Sequence, residues 1–276
     1  MSTIPISLKS IKEIFSNYFR MNQYVVTIPK TKEGLDGRLV CSVDKNSFVA
    51  EQYRVLRTNL TSVSSEKSYK TFVITSSHPQ EGKSITSCNL ALTMAMDREK
   101  KVILLDADMR KSSVHSLFGI ERKPGLSDVL SGKLEIDEFM RKPTRDNLYI
   151  VPSGTLYEDV SAILISNRIS KVLDKLKRNF DYIIFDTPPV LNVTDSSILG
   201  SMCDAVIMVV KAGVTQQSSI EESCNMLEGA QAKPKAFILT NVHFMLDSYS
   251  YYTKYLYRSY KYSTPEVSKS SDIKPS

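Results

Sequence analysis

From about residue 49 the chain alternates between two apolar patterns. Short runs rich in β-branched and aromatic residues, apolar at nearly every position, occur at 71–75, 102–105, 148–151, 182–185, 205–210 and 236–239. Segments whose apolar residues recur every three or four positions lie between several of them, at 85–96, 162–176 and 218–228. Strands without a polar face must be covered on both sides, and their alternation with helices predicts a parallel arrangement. The expectation is a doubly wound α/β fold, with a mostly parallel sheet and helices on both faces. Ligands of such folds sit at the carboxyl ends of the strands.

The ends of the chain read differently. Within residues 1–20, Ile11, Ile14, Phe15, Tyr18 and Phe19 fall at helical spacing, with Lys9, Lys12 and Arg20 among them. This amphipathic helix would lie on a membrane surface or pack on the domain. Residues 22–48 show no sustained period and read as a linker. The predicted division is an N-terminal segment and linker over 1–47, a core domain over 48–248, and a flexible tail over 249–276.

With 276 residues, 42% of them hydrophobic and 24% charged, the chain fits one α/β core with tails. No apolar run approaches the ~18 residues that a spanning helix needs. Lys9, Lys12 and Glu13 interrupt every early apolar run, so a leader peptide is not expected and the chain reads as cytoplasmic. Cys41, Cys88, Cys203 and Cys224 stand far apart, which disfavours a zinc site or disulfide framework. His78, His115 and His243 form no cluster. Residues 1–40 carry six Lys/Arg against three Asp/Glu, and residues 249–276 carry five against two; these ends account for the net +6 and leave the core neutral. That pattern argues against a nucleic-acid groove and for basic ends meeting an acidic partner or anionic surface.

The candidate chemistry begins at Ser77-His78-Pro79-Gln80-Glu81-Gly82-Lys83-Ser84, after the first strand and before a helix. It ends as a Walker A phosphate loop does, in the strand–loop–helix setting such a loop requires. Loop amides and the helix N-terminus would hold phosphate oxygens; Lys83 would pair with the β- and γ-phosphates, and the Ser84 hydroxyl with Mg²⁺. Ser77 stands where the usual first glycine is, and Gln80 occupies a place that is often glycine, so positive φ there meets a steric penalty. The second strand closes on Leu105-Asp106-Ala107-Asp108-Met109-Arg110. If the strand continues, Asp106 and Asp108 point the same way, and like charges so close call for a cation or a shared proton. A later strand runs Asp181-Tyr182-Ile183-Ile184-Phe185-Asp186-Thr187-Pro188-Pro189, which gives Asp186 the form of a Walker B carboxylate that orders Mg²⁺. Asp181, at the start of that run, reads as structural.

These three motifs, in this order and spacing, resemble the bacterial tyrosine kinases (BY-kinases), a branch of the MinD/ParA-like P-loop proteins associated with export of capsular and extracellular polysaccharide. The resemblance covers about residues 48–262. It implies ATP and Mg²⁺ as cofactors, with Ser77, Gln80, Glu81, Gly82, Lys83, Ser84, Ile85 and Arg110 at the nucleotide and Asn241 at the adenine. Mg²⁺ would be held by Ser84, Asp108 and Asp186, and Asp106 would accept the tyrosine proton. The stretch from Ser248 to Tyr262 holds seven of the 14 tyrosines: Tyr249, Tyr251, Tyr252, Tyr255, Tyr257, Tyr260 and Tyr262. Lys254, Arg258 and Lys261 interrupt it, so it reads as an accessible segment, and the resemblance makes it an autophosphorylation cluster.

Glu51, Arg54 and Arg57 form an E-x-x-R-x-x-R pattern on the first core helix. They read as a solvated face with a helical pair; in BY-kinases the same pattern joins subunits into a ring, so that one tail enters the next active site. The resemblance also implies a transmembrane activator of the polysaccharide co-polymerase type, a cognate tyrosine phosphatase, no nucleic-acid partner, and a place at the inner face of the membrane through a partner. Two other readings stay open here, a MinD/ParA-type regulatory ATPase and a nucleotide-binding scaffold. The MinD/ParA proteins carry an early P-loop lysine, whereas no lysine lies between Thr71 and Lys83.

Overall fold

The computed structural model describes residues 34–140 and 143–242. The chain divides into two units, Met1–Asn241 and Val242–Ser276. The amphipathic segment at 1–20 and the tail tyrosines lie outside the described residues.

Among the described residues sixteen elements follow in order: α1 (Val40–Val43), α2 (Phe48–Lys67), β1 (Thr71–Ser76), α3 (Lys83–Met94), β2 (Val102–Asp106), α4 (Val114–Phe118), α5 (Leu126–Leu130), α6 (Asp137–Met140), β3 (Leu148–Val151), α7 (Val160–Ile165), α8 (Asn167–Asn179), β4 (Tyr182–Asp186), α9 (Asp195–Met202), β5 (Ala205–Lys211), α10 (Gln217–Gly229) and β6 (Pro234–Thr240). The strands form one sheet in the order β3-β2-β4-β1-β5-β6, with every neighbouring pair parallel. This is the doubly wound sheet that the alternating pattern predicts.

Strand side chains alternate between faces, so each strand feeds two apolar layers. Val73, Ile103, Leu105, Ile183 and Phe185 enter a layer closed by α5 and α7–α9. Phe72, Ile74, Val102, Leu104 and Ile184 enter a second layer, closed by α3 and α4. The registers of β1 and β2 against β4 bring Asp106 directly beside Asp186. Asp181 fixes the opposite end of β4 by accepting from the Lys101 amide at 2.9 Å. Among the described residues no helix is long and apolar enough to cross a membrane.

Two sequence-based boundaries need correction. The helix expected over 162–176 is two helices, because Ser166 leaves the helical region (φ −62°, ψ 148°). Its hydroxyl donates to the Ile163 carbonyl at 2.7 Å, the local bonding by which serine competes with helix continuation. The described part of the expected linker, from Gly34 to Ser47, is folded onto the domain. Leu35, Leu39 and Cys41 are buried in the layer that holds Phe72 and Ile74. Asn89 of α3 anchors them: its Oδ1 accepts from the Cys41 amide at 3.0 Å, and its Nδ2 donates to the Arg38 carbonyl at 2.9 Å. Three apolar residues spaced four and two apart are too few to register as an element in the sequence. All four cysteines are free.

Leu39 has no exposed surface. Leu39→Ala is expected to lower the unfolding free energy by about 2–5 kcal/mol, the range for truncating a buried leucine. Urea melts measure it, and a change within about 0.5 kcal/mol, as at surface sites, would return this stretch to a linker.

Candidate nucleotide site

The loop between β1 and α3 opens on the carboxyl edge of the sheet. Gly82 takes φ 98° and Gln80 φ 63°, so the loop demands left-handed backbone at two positions and fills one of them without glycine. That geometry costs a side-chain-bearing residue roughly 1–2 kcal/mol. Hydrogen bonds from distant elements hold the loop. The Thr215 hydroxyl donates to Glu81 Oε1 at 2.5 Å, and the Ser77 amide donates to Glu81 Oε2 at 3.0 Å. The Thr240 hydroxyl donates to the Glu81 carbonyl at 2.7 Å. A Cβ at Gly82 would meet the Thr240 methyl at 3.3 Å. Ser77 Oγ accepts from Ser223 at 2.9 Å and donates to the Ser219 carbonyl at 3.3 Å. The side chains of Ser77 and Glu81, expected at the nucleotide, are therefore buried braces that reach α10 and the Thr215 loop between β5 and α10.

The cleft beside the loop has a volume of about 580 Å³ and is lined by Gln80, Gly82, Lys83, Ser84, Ile85, Asp108 and Arg110, with Pro188 and Pro189 opposite. At its floor Lys83, 8% exposed, places Nζ 2.7 Å from Asp108 Oδ2 and 3.2 Å from Ser84 Oγ. Asp108 Oδ1 accepts from the Lys111 amide at 2.9 Å. Strand β2 ends at Asp106, so the continuation that would line up Asp106 and Asp108 as strand neighbours is absent, although the Ala107 amide still donates to the Asp186 carbonyl. Asp106 Oδ2 instead accepts from the amides of Ser113 and Val114, at 3.2 and 3.1 Å, at the start of α4. Asp186 Oδ1 accepts from the Ser87 hydroxyl at 3.1 Å.

Asp106 Oδ1 and Asp186 Oδ2 are buried and have no hydrogen-bond partner among the described residues. Such orphan oxygens are rare, and each calls for an ion or a proton. Burial, reinforced by Asp186, holds the Asp106 carboxyl well above the usual carboxylate range. Burial also raises Asp186, although Lys83 opposes it. Lys83 is lowered by burial, yet Asp186 and Asp108 outweigh this and leave it above its ordinary value. Hard oxygen donors without partners beside a hydroxyl are a set that suits Mg²⁺. That ion takes one or two carboxylates and completes its shell with phosphates and water. Among the described residues no group of three or more acidic, His or Cys residues is placed to hold a metal ion.

Other expected residues are distributed around this centre. Arg110 lines the cleft and donates to Asp195 at 3.3 Å and to Ser161 at 3.2 Å. Asn241, with φ 56°, donates to the Ala212 carbonyl at 3.1 Å and is not part of the cleft lining. Glu51 and Arg54 form an ion pair at 2.5 Å. Arg54 also donates to the Lys45 carbonyl, and Arg57 donates to the Thr93 carbonyl at 3.1 Å. The sequence reading missed Ser87, one helical turn beyond Lys83 and findable by that spacing, and it missed Thr215 and Thr240, which no local signal marks.

A family model described as an AAA domain matches residues 69–238. Tyrosine-protein kinase YwqD of Bacillus subtilis (strain 168) is 33% identical over 215 residues, covering 78% of this chain and 90% of that protein. The chain belongs to the bacterial tyrosine-protein kinases. The kinase domain of Escherichia coli tyrosine kinase ETK shares 26% identity and a TM-score of 0.71, covering 82% of this tyrosine kinase and 85% of that domain. The cell division ATPase MinD of Pyrococcus furiosus, at 20% identity and TM-score 0.53 over 67% of this chain and 79% of that one, shares the fold alone. Other tyrosine-protein kinases are matched over only 29% of their own length.

The raised carboxyls make stability pH-dependent in a defined direction. A carboxyl whose pKa is higher in the folded than in the unfolded chain stabilises the fold fully below the ordinary carboxylate range, and this stabilisation is lost as pH rises through the folded value. Replacing Asp106 by Asn in this tyrosine kinase removes that loss. Without nucleotide, Asp106→Asn is expected to gain more thermal stability relative to wild type at pH 7.5 than at pH 4.5. Paired melting curves at the two pH values test this, and an equal or reversed difference would show that Asp106 is not held above its normal range.

Proposed function

We propose that this chain is an ATP-dependent tyrosine autokinase that phosphorylates the tyrosine cluster at 249–262 of a neighbouring copy. The observation that carries the reading is that Lys83, Ser84 and Asp108 line one cleft at the end of the phosphate loop, with the buried pair Asp106 and Asp186 side by side at the strand ends next to Lys83, in a chain that belongs to the tyrosine-protein kinases. The loop amides and the α3 N-terminus would bind the phosphates. Lys83, now paired with Asp108, would exchange that partner for β- and γ-phosphate oxygens. Ser84 and Asp186 would hold Mg²⁺, with Asp108 beside them; the partner-free Oδ2 of Asp186 makes it the better-supplied carboxylate for that task. The bound ion would neutralise the phosphates as charge shifts between them.

In the transfer, the bond between the γ-phosphorus and the β–γ bridging oxygen breaks and a bond from the tyrosyl oxygen forms. The phenolic proton passes to Asp106, leaving ADP and O-phosphotyrosine. Asp106 suits this role because Oδ1 is unpartnered, and because a raised pKa brings a carboxylate closer to the pH at which it must work. Asn241 is assigned to the adenine.

Assembly belongs to the same proposal: Glu51, Arg54 and Arg57 join copies into a ring, and phosphates on the tail, each adding about −1.5 to −2 charge, reverse its +3 and loosen it. A transmembrane activator of the polysaccharide co-polymerase type would hold the kinase at the inner membrane face, and a phosphatase would reset it. The pathway served would be capsule or exopolysaccharide synthesis and export.

Intact mass after incubation with Mg-ATP tests the proposal. The wild type is expected to gain increments of one phosphate, and Lys83→Met and a chain cut before Tyr249 to gain none. ATP consumed equally by wild type and truncated chain, without any increment, would overturn the kinase reading and leave a regulatory ATPase.

A further inference from the structure

A second cleft, of about 440 Å³, lies between α8 and the segment leading into α6, and it shares no lining residue with the nucleotide site. Its polar lining is almost wholly cationic: Arg168, Lys171, Lys175 and Arg178 against the acid Glu135. At 100° and 1.5 Å per residue these four occupy an arc of about 80° along about 15 Å of helix. Each consecutive pair stands three or four positions apart, the spacing at which like charges destabilise a helix. The row is not needed to seat the helix, which buries Ile169, Val172, Leu173 and Leu176 on its other face.

Ion pairing within the chain leaves most of this charge unmatched. Lys175 is hydrogen-bonded to Asp137, and Lys177, on a different face, pairs with Asp204 at 3.4 Å. Among the described residues the side chains of Arg168, Lys171 and Arg178 make neither a hydrogen bond nor an ion pair. Arg168 lies close against the backbone of Gly132, where a Cβ would come within 2.4 Å of its guanidinium. A glycine there leaves the space that the arginine head occupies. Two guanidinium forks at the ends of the row suit phosphate oxygens bidentately, and Lys171 adds a point charge between them.

We propose that this cleft binds a soluble oligophosphate, an anion carrying two or more linked phosphate groups. One phosphate cannot engage cations spread over such a row, whereas a short phosphate chain can, and the cleft volume falls within the range of small-ligand sites. Lipid headgroups present the same phosphate chemistry on a flat surface; the recess between α8 and residues 129–136 favours a discrete molecule. The proposal is independent of the kinase reading, because it uses none of the same residues.

Calorimetric titration of the full chain with sodium tripolyphosphate tests it, using wild type, Lys83→Met and an Arg168→Gln/Lys171→Gln double variant. Binding at one site per chain is expected to persist in Lys83→Met and to weaken at least tenfold in the double variant. Arg178→Gln, at the exposed end of the helix, is expected to weaken it at least threefold and guards against a misfolded double variant. Binding that disappears in Lys83→Met but survives in the α8 variants would place the anion at the phosphate loop and overturn the proposal. Unchanged affinity in Arg178→Gln with a double variant that melts normally and binds normally would do the same. So would capture of the wild type, but not the double variant, by phosphatidylglycerol vesicles with no response to tripolyphosphate, which would make the row a membrane-facing stripe.

Discussion

Three carboxylates and one lysine share a space from which water is nearly excluded, and the rest of the domain is arranged around that imbalance. Asp106 and Asp186 have no exposed surface, and Asp108 and Lys83 have very little. One ammonium cannot neutralise three acids, and burial makes each uncompensated charge expensive. The structure answers with geometry: the α4 amides take one Asp106 oxygen, Ser87 takes one Asp186 oxygen, and Lys83 takes Asp108. Two oxygens remain without partners, and their raised pKa values express the same deficit. A cation-bearing polyphosphate is the kind of ligand that would resolve this deficit.

The phosphate loop meets a related constraint by different means. Glycine-rich loops reach left-handed backbone without strain, but this loop has Gln80 at φ 63° and Ser77 where a glycine is usual. It is held by a buried carboxylate instead. Glu81 is clasped by Thr215 and the Ser77 amide, and its own carbonyl by Thr240. Bracing from β6 and from the loop after β5 substitutes for conformational freedom, and the strain at Gln80 persists because the surroundings over-determine it.

Much of this was legible in the sequence because the sheet is covered on both faces. Strands such as 102–105 are apolar throughout, so they stand out from helices whose pattern repeats on one side only. The loop and the closing aspartates were legible because each sits at a strand end, where a change from apolar to polar is abrupt. Helix α7 and helix α8 merged in the reading because the break at Ser166 is a backbone event inside a continuous amphipathic pattern. Leu35 and Leu39 were hidden because their burial depends on Asn89, about fifty residues away. The unmet alignment of Asp106 with Asp108 has the same character, since the strand stops at Asp106 and that carboxylate turns to the amides of Ser113 and Val114. Contacts across the sheet, rather than local propensity, set these features.

The clasp on the phosphate loop also dictates an order of events. Ser77 to Ser84 emerge early during synthesis, yet the hydroxyls that hold Glu81 belong to Thr215 and Thr240, the latter on the last strand of the sheet. A nascent chain that has not yet released β6 can pair β1 with β4 and close the apolar layers, but its phosphate loop still lacks the bond that fixes Glu81 and the methyl that packs on Gly82. Because domains fold as units behind the ribosome, nucleotide would be gripped only after nearly the whole domain is out, and a truncated translation product would be folded in part but unable to form a finished site.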